Sequence, residues 1–151
     1  MTQSYATECW LPVVGFEGYY EVSSLGRVRS LERTLQLTSH PRLKERTFKA
    51  RILFQKSNRP AGGEKGYVRM QVALWKENKE YTRNVARLVA EAFIPNHHGA
   101  PFVLHLDDDA TNNRVGNLQW GDHAENVRQA VERGRYPSGE LHWTCAGKKP
   151  R

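Results

Sequence analysis

Cysteine is scarce in this chain: 151 residues hold two, Cys9 and Cys145. They lie near opposite ends and form no C-x-x-C pair, so no thiolate metal site is expected and both read as reduced thiols. Long apolar runs are also missing. No stretch approaches the roughly 20 residues that cross a bilayer, so no membrane partner is expected. Met1 to Glu8 carry neither a basic segment nor an apolar one, and the expectation is no secretion signal and a cytoplasmic location. Internal repeats are absent. What remains is 38% hydrophobic and 26% charged, the composition of a globular chain forming one compact domain or two small modules.

The formal net charge is +7, and lysine and arginine are spread along the chain. A basic surface gains affinity for polyphosphate by releasing counterions. A solvated basic surface with no partner explains the charge nearly as well, so charge alone favours nucleic acid only slightly.

Local patterns give the elements. Tyr19 to Ser23 and Val28 to Leu31 read as strands, joined by turn residues Ser24-Leu25-Gly26-Arg27. Thr34 to Glu45 is polar and aperiodic, a loop. Ala50 to Gln55 reads as a short strand. Asn58 to Gly66, with Pro60, Gly62, Gly63 and Gly66, is a flexible connection. Tyr67 to Trp75 alternates: Val68, Met70, Val72 and Leu74 face one way, Arg69 and Gln71 the other. Glu77-Asn78-Lys79 makes a turn, and Tyr81 to Asn84 returns. From Val85 to Ile94 the period becomes helical through Leu88, Val89, Ala92 and Phe93, and Pro95 ends it. Phe102 to Leu106 is a strand, Asp107 to Val115 an acidic, asparagine-rich loop, and Leu118 to Trp120 a return strand. Asp122-His123-Ala124-Glu125 is a capping box opening a helix to about Arg133, with Gly134 as its cap. The tail after Gly134 is polar and loose. The fold class is therefore α+β: an N-terminal antiparallel β module with one helix, then a strand-loop-strand-helix unit.

Residues 103–126 read V-L-H-L-D-D-D-A-T-N-N-R-V-G-N-L-Q-W-G-D-H-A-E-N. Taken singly, His105 is an ordinary strand histidine, Asn117 closes a turn, and Asn126 is a solvated helix residue. Together, at the spacing of His105, Asp107, Asn112, Asn113, Asn117, Leu118, Trp120, Glu125 and Asn126, they resemble the HNH (ββα-metal) endonucleases of the phage and intron homing type. The phrase G-F-E-G-Y-Y-E-V-S-S-L-G-R-V-R-S resembles the small nuclease-associated modular domain that precedes such cores, with Ser24 in place of the usual asparagine. The resemblance divides the chain into a DNA-binding β module at 8–84, a nuclease core at 85–134 and a tail at 135–151.

The resemblance implies a phage-encoded, metal-dependent endonuclease acting on double-stranded DNA and leaving 5′-phosphate and 3′-hydroxyl ends. His105 would be the general base, Asn117 would orient its ring, and Asn126 would bind the metal through its amide oxygen, with Mg²⁺ or Mn²⁺ favoured by oxygen ligands. The chain departs from the family at three places besides. Leu104 stands where many members place a metal-binding Asp, Asn or His, Ala86 replaces a familiar histidine, and Asp108 occupies the position of a turn glycine. Asp122 and Asp107 are the carboxylates placed to compensate, Asp122 being also the helix cap. Arg27, Arg29, Arg33, Arg69, Arg83 and Arg87 are candidates for phosphate contact, with Arg114, Arg128 and Arg133 nearer the site. A double-strand break would need a homodimer or two visits. The rival readings are a DNA-binding protein that has lost catalysis on the same scaffold and, more distantly, a structural protein.

Overall fold

The computed structural model describes residues 7–39, 41–58 and 68–134. The flexible connection expected before Gly66, Tyr67, Cys145 and the tail lie outside these residues, Asn58 excepted. The fold is α+β, with small antiparallel sheets and two helices.

Strands β1 (Trp10–Pro12), β2 (Tyr20–Ser23) and β3 (Val28–Ser30) pair antiparallel in that order. The turn between β2 and β3 is built by Ser23, whose Oγ accepts from the backbone N–H of Leu25 at 3.3 Å and of Arg27 at 3.0 Å. Gly26 takes φ +86°, which a residue with a Cβ adopts only at a cost.

The segment expected to be a loop from Thr34 to Glu45 is instead the core of a hairpin, β4 (Arg33–Gln36) against β5 (Glu45–Phe48). Its cross-strand pairs are polar: Thr34 Oγ1 and Thr47 Oγ1 lie 2.8 Å apart, and Gln36 Nε2 donates to Glu45 at 3.2 Å. Polar ladders leave no apolar alternation, so the strands were invisible to periodicity. Strand β6 (Arg51–Ile52) completes the first sheet beside β3 and is shorter than the Ala50–Gln55 expectation.

Strands β7 (Lys56–Ser57), β8 (Met70–Lys76) and β9 (Lys79–Asn84) form a second sheet. Val72 and Leu74 are buried on the face read from the sequence, and Glu77 and Asn78 take φ of 52° and 62°, the type I′ geometry of a tight hairpin. Helix α1 (Val85–Phe93) buries Val85, Leu88 and Val89 and closes with the Ile94 N–H on Ala90 O, just before Pro95.

Strands β10 (Phe102–His105) and β11 (Leu118–Gly121) pair antiparallel, and helix α2 (His123–Glu132) follows: a ββα unit. Asp122 caps α2, its Oδ1 accepting from Glu125 N at 2.7 Å. The reciprocal half of the capping box is replaced, since the Glu125 carboxylate accepts from Arg128 at 3.0 Å and Gln129 at 3.3 Å.

One hydrophobic core crosses residue 84. Val13, Phe16, Tyr20, Val22 and Val28 meet Val72 and Leu74 of β8, Val85, Leu88 and Val89 of α1, and Leu118 of β11. Each large aliphatic side chain so buried contributes about 1.5–3 kcal/mol. Tyr20 also crosslinks the sheets: its hydroxyl donates to Trp75 O at 3.1 Å and accepts from Trp75 N at 2.8 Å.

Candidate active site

His105 ends β10, opposite Leu118 in the ladder, and is half-buried. Its Nε2 lies 2.9 Å from Asn113 Oδ1. Asn113 is 4% exposed, and its Nδ2 turns to Thr111 O at 3.5 Å. The amide oxygen therefore faces the ring, and Nε2 carries the hydrogen. Nδ1 is left as the basic nitrogen, the form a general base requires.

No hydrogen bond joins Asn117 to the ring among the described residues. Its Oδ1 accepts from Asp107 N at 3.1 Å, and its Nδ2 donates to Asp107 Oδ1 and to Asn112 O, each at 2.8 Å. It ties the two ends of the loop, while the ring partner is Asn113. Within the asparagine-rich loop the sequence singled out neither Asn112 nor Asn113 as a partner of the ring. The available signal was the family phrase itself, which places an asparagine pair at that distance from the histidine.

Asp107 is equally committed to the loop. Its Oδ1 also accepts from Asp109 N at 2.9 Å, and its Oδ2 accepts from Asn112 Nδ2 at 2.6 Å. The Asn112 amide, then the Asp109 N–H and the Asn117 amide, hold this carboxyl below the usual aspartate range. The Thr111 hydroxyl and N–H do the same for Asp109. Asp108 adopts φ +66°, the left-handed conformation that a glycine would take there.

The β2–β3 turn seats this loop. A Cβ on Gly26 would stand 2.9 Å from Asn113 Cβ and from Asn113 O. Val115 N donates to Ser24 O at 3.0 Å, and Ser24 Oγ accepts from Cys9 N at 3.0 Å, so the serine that replaces the usual asparagine remains a junction. From the other side, Arg133 at the end of α2 latches the strand end. It donates to Leu106 O at 2.8 Å and His105 O at 3.4 Å, and pairs with Asp108. Asn126 lies two turns earlier on the same helix face, roughly 10 Å toward the N-terminus.

A divalent ion would need oxygen donors. Leu104 is 7% exposed and packs on Gly121, where a Cβ would come 2.5 Å from Leu104 Cδ1. Both oxygens of Asp107 are engaged in the loop, and Asp122 is the helix cap. Asp107 and Asp122, the carboxylates expected beside the ion, are thus hydrogen-bonded within the loop and at the helix cap. Among the described residues no three His, Cys, Asp or Glu side chains converge to hold a metal. No carboxylate cluster is therefore preformed for an ion among the described residues, and the half-buried Asn126 on α2 is the amide donor left from the expected set.

The arginines divide into two groups. Arg27 pairs with Glu8, Arg29 with Glu21 at 2.6 Å, Arg87 with Glu91 at 2.9 Å and Arg128 with Glu125 at 3.0 Å. Arg87 also donates to Pro101 O at 2.8 Å, tying α1 to the start of β10. Their charge is compensated internally. Arg69, Arg83 and Arg114 are exposed and pair with no carboxylate among the described residues.

Residues 8–72 match the NUMOD4 motif. Over 125 residues the chain is 30% identical to DNA endonuclease I-HmuI of Bacillus phage SP01, covering 83% of this chain and 59% of that protein. Over 62 residues it is 39% identical to the uncharacterized HNH endonuclease L245 of Acanthamoeba polyphaga mimivirus, covering 41% of this chain and 19% of that one. A solved structure of DNA binding and cleavage by the HNH homing endonuclease I-HmuI superposes with a TM-score of 0.60 at 29% identity, covering 85% of this chain and 61% of that chain. The chain spans about three fifths of the phage protein's length. With its NUMOD4 motif at the N-terminal side and the ββα unit after it, the chain is a relative of the HNH homing-type endonucleases.

Proposed function

We propose that this chain is an endonuclease that hydrolyses DNA phosphodiester bonds at His105. The pairing of His105 with Asn113 carries the reading: one ring nitrogen is held as a donor at 2.9 Å and the other is left basic. Water meeting Nδ1 gives up a proton to the imidazole and attacks phosphorus. The P–O3′ bond breaks and the departing 3′ oxygen takes a proton from solvent, leaving 5′-phosphate and 3′-hydroxyl ends. Arg69, Arg83 and Arg114 supply phosphate contacts, which position a duplex but carry no sequence information. The likeness to I-HmuI, whose solved structure concerns DNA binding and cleavage, supports the reading.

HNH endonucleases generally use divalent ions, and Mg²⁺ or Mn²⁺ is proposed here. With so sparse a donor set, the ion would have to be held largely by water and the DNA phosphates, as Mg²⁺ commonly is. The proposal divides the chain into a DNA-binding part at 8–84 and a nuclease part at 85–134. It places the action in the cytoplasm of a bacterial host and lets one chain cut one strand, a second copy or visit being needed for both.

Supercoiled plasmid with Mg²⁺ or Mn²⁺ tests it. The native chain should relax or linearise the DNA, and His105→Ala should not. A second reading, a DNA-binding protein without catalysis, is favoured by the apolar Leu104. DNA binding that persists in EDTA, with no cleavage under either metal, would select it.

A further inference from the structure

A groove between the β4–β5 hairpin, β6 and β8 has no part in the site described above. It encloses about 580 Å³, within the size of small-ligand pockets, about 300–1,000 Å³. Arg33, Arg46, Lys49 and Arg51 line it, and among the described residues no acidic one does. Glu80, opposite Trp75 in the β8–β9 ladder, lies outside the wall.

Two wall aromatics face solvent, Phe54 at 83% exposure and Trp75 at 49%. Arg33 is set into the wall behind them. Its guanidinium lies 5.0 Å from the Tyr19 ring centre, 5.1 Å from that of Phe48 and 5.7 Å from that of Tyr20. Among the described residues its Nε and Nη1 are buried with no hydrogen-bond partner, and no carboxylate pairs with it. Arg33 is thus a positive charge fixed by ring faces and not by a described carboxylate.

Open ring faces beside charge of one sign are the means by which proteins hold unstacked bases. A duplex hides its base faces and would leave the rings unused. An acidic peptide would use the charge alone. We propose that the groove binds a single-stranded stretch of nucleic acid, with a base stacked on Phe54 or Trp75 and its phosphate facing Arg46 and Arg51. The inference rests on the nucleic-acid reading given above but not on cleavage.

The test is fluorescence anisotropy in EDTA, with a labelled oligothymidylate and a labelled duplex of equal length. Phe54→Ala and Trp75→Ala change exposed side chains, and unchanged melting curves check that each still folds. Each should weaken single-strand binding about tenfold and leave duplex binding unaltered. Unchanged single-strand affinity in both variants overturns the proposal. So does an equal loss of duplex affinity, or displacement of the oligonucleotide by polyglutamate as readily as by unlabelled strand. A native chain that binds duplex but no single strand refutes this inference alone, and one that binds neither refutes the parent reading as well.

Discussion

Asn113 reaches His105 from eight residues away and sets which ring nitrogen is basic. Asn113→Ala should lower the plasmid-nicking rate about 10- to 100-fold, by analogy with the loss of a residue that orients a reacting histidine. Asn113→Asp keeps an acceptor for Nε2 and should recover most of that rate, a rescue that mere structural damage would not allow. At Leu104 the test runs in the opposite direction. Leu104→Asp should tighten Mn²⁺ binding by calorimetry, while removal of a buried aliphatic side chain costs about 2–5 kcal/mol in thermal or denaturant unfolding. Unaltered Mn²⁺ affinity would mean that position 104 does not face the ion.

The loop from Asp107 to Asn113 behaves as an element in its own right, closed by amide and carboxylate bonds where a hydrophobic cluster is lacking. Asp107 and Asp109 titrate below the ordinary aspartate range in the folded chain. Their contribution is therefore fully present above the unfolded aspartate value of about 4 and is lost as pH falls through the lower folded values. Amide exchange should find the loop protected down to about pH 4 and opening below it. Loss of protection nearer neutrality would contradict the bonding described. Gly26→Ala attacks the same loop from its seat. Positive φ and a Cβ at 2.9 Å from Asn113 should together cost about 2–3 kcal/mol by chemical denaturation.

The sequence made the alternation in β8, the helical period of α1 and the Asp122 cap legible, because each is a local signal. The β4–β5 hairpin stayed hidden because its pairs, Thr34 with Thr47 and Gln36 with Glu45, offer no apolar period. His105 was legible from motif spacing. Its partner was not, because the choice between Asn113 and Asn117 depends on how the loop closes, and Asp107 claims Asn117 first.

For the molecule as a whole, the net charge of +7 is what remains after 16 carboxylates offset 23 basic side chains, and the ion pairs decide which arginines stay open to a partner. Arg27, Arg29, Arg87, Arg128 and Arg133 are all spent on internal carboxylates. Of the arginines first suspected, Arg33, Arg69, Arg83 and Arg114 remain without a carboxylate among the described residues, and Arg33 is taken up in the groove, which leaves three for a duplex. If these three carry duplex binding, the plot of log affinity against log salt should have a slope of about −3, and each Arg→Ala change should reduce its steepness by about one. A slope near zero would remove DNA from the list of partners.

The Ser24 carbonyl that receives the Val115 N–H, and the bare face of Gly26 beneath Asn113, belong to the motif half of the chain, yet they shape the loop that holds His105. Recombination cannot treat the two as interchangeable cassettes. A foreign N-terminal partner would have to arrive with a matching bend, or the imidazole would lose the amide that decides its tautomer.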